Sequence, residues 1–163
     1  MLPYIVRVIP NLFTLGNLLS GVFSITFSMN GYHRTASLLI FLAAFLDLFD
    51  GRIARKLKVN NQIGVELDSL ADIVSFGVAP ALIFHTLADP SWVNPIAFVL
   101  YPTMGALRLA RFNANPTVGY FNGLPIPAAG LVISLMGLFL YANPYITILL
   151  AILMVSPFRV KKL

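Results

Sequence analysis

The stretch DLFDGRIARKLKVNNQIGVELDSLAD, residues 47 to 72, sets two pairs of aspartates into a chain that is otherwise strongly apolar. Asp47 and Asp50 stand three apart and Asp68 and Asp72 four apart. On helices each pair therefore projects from one face, and all four carboxylates can meet at one point. Acids packed that closely call for cations, and clustered hard oxygen ligands suit Mg²⁺, Mn²⁺ or Ca²⁺. Ionisable groups inside membrane-spanning helices are costly and mark functional sites by default. The bland alternative is salt bridging to the neighbouring basic residues, but it leaves too many acids in too small a space.

Around this stretch the composition is that of an integral membrane protein. Of 163 residues, 58% are hydrophobic and only 10% charged, and the mean hydropathy of +0.85 lies far outside the range of soluble domains. The absence of cysteine excludes a disulfide, a thiolate metal site and a cysteine nucleophile. The opening MLPYIVRVIP lacks a signal-peptide cleavage pattern and is expected to lead into membrane rather than a soluble domain. The net charge of +5 sits at helix ends, so no nucleic-acid partner is expected.

Apolar stretches and their breaks predict six spans, about 11 to 29, 34 to 56, 63 to 87, 93 to 113, 125 to 141 and 143 to 157. The last two are short for a hydrocarbon core that takes ~20 helical residues to cross. The breaks NGYH, KLKVNNQ, ADPSWVNP, NANPTVGYFNG and YANP are rich in turn formers. The fold class expected is an all-α integral membrane protein of six transmembrane helices, residues 1 to 163 forming one catalytic domain. The positive-inside rule orients it. With both termini cytoplasmic, Arg7, Arg52, Arg55, Lys56, Lys58, Arg108, Arg111, Arg159, Lys161 and Lys162 lie inside, and only Arg34 lies outside. The aspartates then fall at the cytoplasmic ends of helices two and three of a multi-pass cell-membrane protein. Arg7, Arg159, Lys161 and Lys162 read as headgroup anchors.

Steps of three, four and seven put Asp47, Asp50, Gly51, Ala54 and Arg55 on one side of helix two, and Gly64, Asp68 and Asp72 on one side of helix three. Gly51, Ala54 and Gly64 carry little or no side chain, so a bulky group such as a nucleotide can approach the backbone there. Arg55, a turn further on, can grip phosphate with its fork of donors. Carboxylates, divalent metal and arginine together suit phosphoryl or phosphatidyl transfer, where two metals neutralise a diphosphate and an aspartate takes the proton of an attacking hydroxyl.

The segment is similar to the signature of the CDP-alcohol phosphotransferase family, D-x2-D-G-x2-A-R-x8-G-x3-D-x3-D, at all eight fixed positions: Asp47, Asp50, Gly51, Ala54, Arg55, Gly64, Asp68 and Asp72. The resemblance implies a six-helix membrane enzyme, generally a homodimer, that transfers a phosphatidyl or similar group from a CDP-linked donor to an alcohol and releases CMP. It implies that Asp47, Asp50, Asp68 and Asp72 bind a pair of divalent ions, that Asp72 is also the general base, and that Gly51, Ala54, Arg55 and Gly64 hold the CDP moiety. PNLFTLGNLLSG (10 to 21), SFGVAPA (75 to 81), RLARFN (108 to 113) and GLPIPAAG (123 to 130) resemble the phosphatidylserine synthase branch. That branch implies CDP-diacylglycerol as donor and L-serine as acceptor. Arg108 and Arg111, at a cytoplasmic helix end, can meet the serine carboxylate or anchor at headgroups.

Thr14 and Asn17 either reach the nucleotide or hydrogen-bond between helices. Glu66, one step off the Asp68 and Asp72 face, reads as water-facing. His33, His85 and Trp92 read as interfacial. Within the enzyme class the rival acceptors are glycerol 3-phosphate and an inositol phosphate. From another class, a divalent-cation transporter would need polar groups through the membrane, whereas the outer halves of helices two and three are almost wholly apolar.

Overall fold

A computed structural model describes residues 2 to 58, 61 to 116 and 118 to 161. Lys162, expected among the headgroup anchors, lies outside them. The described chain is predominantly helical: α1 (Leu2–Met29), α2 (His33–Lys56), α3 (Gln62–Asp72) continuing through a π-helical turn (Ile73–Val78) into α4 (Ala79–Leu87), α5 (Val93–Ala114), α6 (Ile126–Leu138) and α7 (Pro144–Val155). Six helical rods result, because α3, the π turn and α4 run on without a break. Two of them, Tyr4–Met29 and Gln62–Leu87, are long and apolar enough to cross a membrane.

The breaks stop the helices for identifiable reasons. After α1, Gly31 takes φ +85° and the Tyr32 amide reaches back to the Phe27 carbonyl at 2.9 Å, a glycine-dependent helix end. Asn61 caps α3 by accepting from the Ile63 amide. Asn143 caps α7 by accepting from Tyr145 and Ile146, with Pro144 in the first turn where its missing N–H is harmless.

The structure corrects the expected spans at both ends of the chain. The first helix begins at Leu2 and carries Pro10 inside it. One lost backbone bond does not outweigh the helix on either side of it. The last two helices are shorter than expected, α6 stopping at Leu138 before a turn in which Leu140 takes φ +55°. A short antiparallel ribbon, β1 (Tyr120–Asn122) with β2 (Arg159–Lys161), was not foreseen. It is sealed by backbone bonds from Gly123 to Phe158 and from Leu124 to Leu153. Carbonyls of Leu153, Met154 and Ser156 crowd Gly123 within 3 Å of where a Cβ would stand, and its φ is +72°. Only glycine fits there.

α1 packs along α2, and α5 along α7. Between these pairs the core gathers Ile40, Phe76, Ile83, Phe84, Tyr101, Ile126, Ile133 and Met154. Buried hydroxyls stitch helices together, as where Ser24 donates to the Ala36 carbonyl at 2.7 Å. The end away from the aspartates is tied by Ser28, Thr86 and His33.

Candidate active site

α2 and α3 deliver the aspartates as the spacing requires. Carboxylate oxygens of Asp47, Asp50 and Asp68 lie within 4.8 Å of one another. Asp72, one turn beyond Asp68, stands beside this triad, and Asp47 comes within hydrogen-bonding reach of both Asp68 and Asp72. Asp50 and Asp72 are buried, Asp47 and Asp68 half-buried. Among the described residues no arginine or lysine pairs with the four. The four lie in one another's field, and of the basic residues Arg108 is felt by Asp72 without forming a salt bridge, so the salt-bridging alternative does not account for the cluster.

The donor set fits a divalent cation. It is all oxygen, tightly spaced, and includes the buried Asp68 Oδ1, which has no hydrogen-bond partner among the described residues.

α1 supplies the polar wall. Thr14 Oγ1 donates to Asp50 Oδ2 at 2.7 Å as well as to the Pro10 carbonyl. Asn17 Nδ2 donates to Asp72 Oδ1 at 3.3 Å. Both side chains are buried, and the expectation of polar bonds between helices holds for both.

Two clefts lie near the acids: Asp50 and Asp68 line the first, whereas none of the four lines the second, which meets their field through Arg108. The first, about 450 Å³, is lined by Thr14, Asp50, Gly51, Ala54, Arg55, Gly64 and Asp68 together with Arg7, Asn11, Lys58 and Asn61. Five of the six residues expected to hold a nucleotide therefore share one cleft. The sixth, Asn17, is not in its lining; it is fully buried against Asp72 instead. At Gly51 an added Cβ would meet nothing within 4 Å, so the backbone there is open to the cleft.

The second cleft, about 460 Å³, is lined by Arg108, Arg111, Asn115, Asn122, Ser156 and Arg159, with Phe112 and Met154 among its apolar walls. Arg108 is buried, its Nε without a hydrogen-bond partner among the described residues, and its guanidinium lies in the field of Asp72. The C-terminal end of α5 is tied to α3 by Asn113 Nδ2 donating to Ser69 Oγ at 2.8 Å. Arg159 faces Asn122 across the ribbon and lays its guanidinium over the Tyr120 ring at 4.9 Å.

Sequence reading missed part of this. Arg7 and Arg159, taken as headgroup anchors, line the clefts. Their sequence signal, a basic residue near a span end, is the same in both roles. Asn115 and Asn122 lay unremarked in a loop rich in turn formers.

The pattern of the CDP-alcohol phosphatidyltransferase family matches residues 7 to 157, and the chain belongs to that family. Its relatives narrow the comparison. A CDP-diacylglycerol-serine O-phosphatidyltransferase of Bacillus subtilis is 40% identical over 147 residues, covering 88% of this chain and 80% of the relative. The enzyme of the same name from Mycobacterium leprae is 40% identical over 141 residues, 81% of this chain, and the alignment spans only 46% of that relative's length. An archaetidylserine synthase of Methanothermobacter thermautotrophicus is 38% identical over 156 residues, covering 91% of this chain and 67% of the relative.

Proposed function

We propose that the chain transfers the phosphatidyl group of CDP-diacylglycerol to the hydroxyl of L-serine, giving phosphatidylserine and CMP. The observation that carries this reading is a cleft of small residues lined also by Asp50 and Asp68, together with an arginine-lined cleft whose buried Arg108 lies in the field of Asp72. The names of the relatives support serine as the acceptor.

In this reading the first cleft takes the CDP moiety. Gly51, Ala54 and Gly64 let it approach the helix backbones, and Arg55, with Arg7 and Lys58, meets its phosphates. Asp47, Asp50, Asp68 and Asp72 would hold two divalent ions, Mg²⁺ or Mn²⁺, with Ca²⁺ as a further occupant; when bound, these supply neutralisation of the diphosphate charge. Thr14 fixes the rotamer of Asp50. The second cleft takes serine, with Arg108 and Arg111 on its carboxylate.

Asp72 accepts the proton of the serine hydroxyl. The serine oxygen bonds to the phosphorus that bears diacylglycerol, and the bond from that phosphorus to the oxygen of CMP breaks. CMP leaves with the bonding electrons. The acids already have ligand and base roles, so direct attack is preferred to a covalent phosphatidyl-enzyme.

We also propose that all six rods cross the membrane, with the acids at the cytoplasmic face and residues 1 to 163 as one catalytic domain. A homodimer in the cell membrane completes the reading. A second reading has a specific observation behind it: three arginines line the acceptor cleft, enough for a dianionic phosphate such as glycerol 3-phosphate or an inositol phosphate. The test is CMP release by purified protein given CDP-diacylglycerol and each alcohol in turn. Release with L-serine alone supports the first reading; release with a phosphorylated alcohol and not with serine replaces it.

A further inference from the structure

The turn that follows Asp72 is not an ordinary helix. Across Ile73–Val78 the backbone widens to π geometry, and the Ala79 amide bonds to the Val74 carbonyl five residues back. Pro80 supplies a reason. Proline has no N–H and its ring crowds the carbonyl four residues earlier, which is that of Phe76. A straight α-helix through this point would leave the Phe76 oxygen without its donor in an apolar interior, where an unmet carbonyl is costly.

A donor that proline cannot supply comes from α5. Tyr101, wholly buried, donates its hydroxyl to the Phe76 carbonyl at 2.8 Å. Neighbouring helices crowd the same turn. A Cβ on Gly130 of α6 would fall 2.9 to 3.0 Å from Phe76, and one on Gly21 of α1 would fall 2.8 Å from the Ser75 Cα. On the α1 side Ser75 Oγ donates to the Asn17 carbonyl at 2.9 Å, and Asn17 itself bonds Asp72. The turn beyond Asp72 is thus held from two sides by side-chain hydroxyls, and π turns inside helices recur at functional sites.

We propose that Tyr101 is a positioning residue for the transfer: by donating to the Phe76 carbonyl, which Pro80 cannot serve, it holds the π turn in the register that aims Asp72 at the acceptor. Phe76 lies one turn beyond Asp72, so a relaxation of the turn rotates the carboxylate at its start. Tyr101 touches neither substrate nor the acids. It acts through the backbone, with Ser75 completing the hold from the α1 side. The inference rests on Asp72 as the base, proposed above.

The test compares Tyr101→Phe and Ser75→Ala with Ser24→Ala, which removes a buried hydroxyl bond of similar length between α1 and α2, remote from the acids. Asp72→Asn is measured alongside. Steady-state CMP release is followed well below each variant's Tm. Tyr101→Phe and Ser75→Ala are expected to lower kcat on the order of tenfold or more while both KM values stay within about twofold, since small misplacements of a catalytic group cost rate. Ser24→Ala is expected to lower Tm with kcat unchanged. A Tyr101→Phe enzyme whose kcat matches that of Ser24→Ala overturns the proposal. Should Tyr101→Phe fail to fold, Ser75→Ala decides by the same criterion. Normal turnover by Asp72→Asn would sink the base assignment itself, whereas an inactive Asp72→Asn beside a fully active Tyr101→Phe would sink only the positioning role.

Discussion

The two clefts, one lined by Asp50 and Asp68 and the other reaching the field of Asp72 through Arg108, are made of different material. The first is cut between the helices α1, α2 and α3 and opens on bare helix backbone at Gly51. The second is assembled from the end of α5, the β1 and β2 ribbon and the end of α7, segments up to about fifty residues apart, and its polar surface is mainly arginine and asparagine. The first recognises by shape and close approach, the second by charge carried on side chains. A cleft of the second kind can change its ligand by side-chain substitution without disturbing the helices that hold the acids. Under the proposed function the first cleft, as donor site, would be the less adaptable half of the design and the second, as acceptor site, the more adaptable.

In the proposed reaction the acids act on both substrates, so damage to them erases the distinction. Chelation is the largest effect expected, because oxygens of Asp47, Asp50 and Asp68 within 4.8 Å cannot be held together as carboxylates without a cation. Excess EDTA should abolish CMP release and restored Mg²⁺ or Mn²⁺ should return it; turnover undiminished in EDTA would remove the metal assignment. Next comes Asp72→Asn, expected to lower turnover on the order of 100- to 10,000-fold with CDP-diacylglycerol binding largely kept, as for loss of a general base. Asp47→Asn should weaken donor binding as well. Donor titration together with single-turnover CMP release separates base from ligand, and equal donor affinities in the two variants would merge the roles.

The acidic end was legible because it is local. Residues three and four apart on a helix share a face wherever that helix sits, so each aspartate pair was readable from spacing, while the packing of α2 and α3 against α1 decides that Asp47, Asp50 and Asp68 meet within 4.8 Å and Asp72 stands beside them. The small residues of the first cleft lie on the same two helices and were readable with them. The second cleft needs chain that returns from a distance. A ribbon of three-residue strands is too short to leave a period in the sequence, and Arg159 in it looks like any terminal cation. Tyr101 was invisible for a different reason: an aromatic in an apolar span reads as packing until its hydroxyl's partner is known. The π turn hid within one unbroken apolar run, where Pro80 alone hinted at it.

A milder change sharpens the contrast on the donor side. Gly51→Val adds a side chain where nothing stands within 4 Å, so the fold should be unaffected and only the cleft should fill. The KM for CDP-diacylglycerol is expected to rise about tenfold, ~1.4 kcal/mol, with that for serine and the Tm little changed. An enzyme whose KM values both stay normal would place the nucleotide elsewhere.

The arginine effects run from about tenfold down to the smallest, and they bear most directly on the contrast. Arg108 is buried and close to Asp72, whereas Arg111 and Arg159 are exposed. A charge contact made out of water is worth more than the same contact at a wet surface. Arg108→Ala should therefore raise the KM for serine by about tenfold, and Arg111→Ala and Arg159→Ala by only about two- to threefold each, all three with the KM for CDP-diacylglycerol unchanged. Lysine at 108 should recover part of the loss, since it keeps the charge but not the planar fork. The comparison breaks if the arginine variants raise both KM values together, because charge in the second cleft would then support the whole site and not one substrate. It is sharpened if they also relax discrimination among alcohols, since a cleft that reads charge should loosen toward other anions when its buried cation is removed.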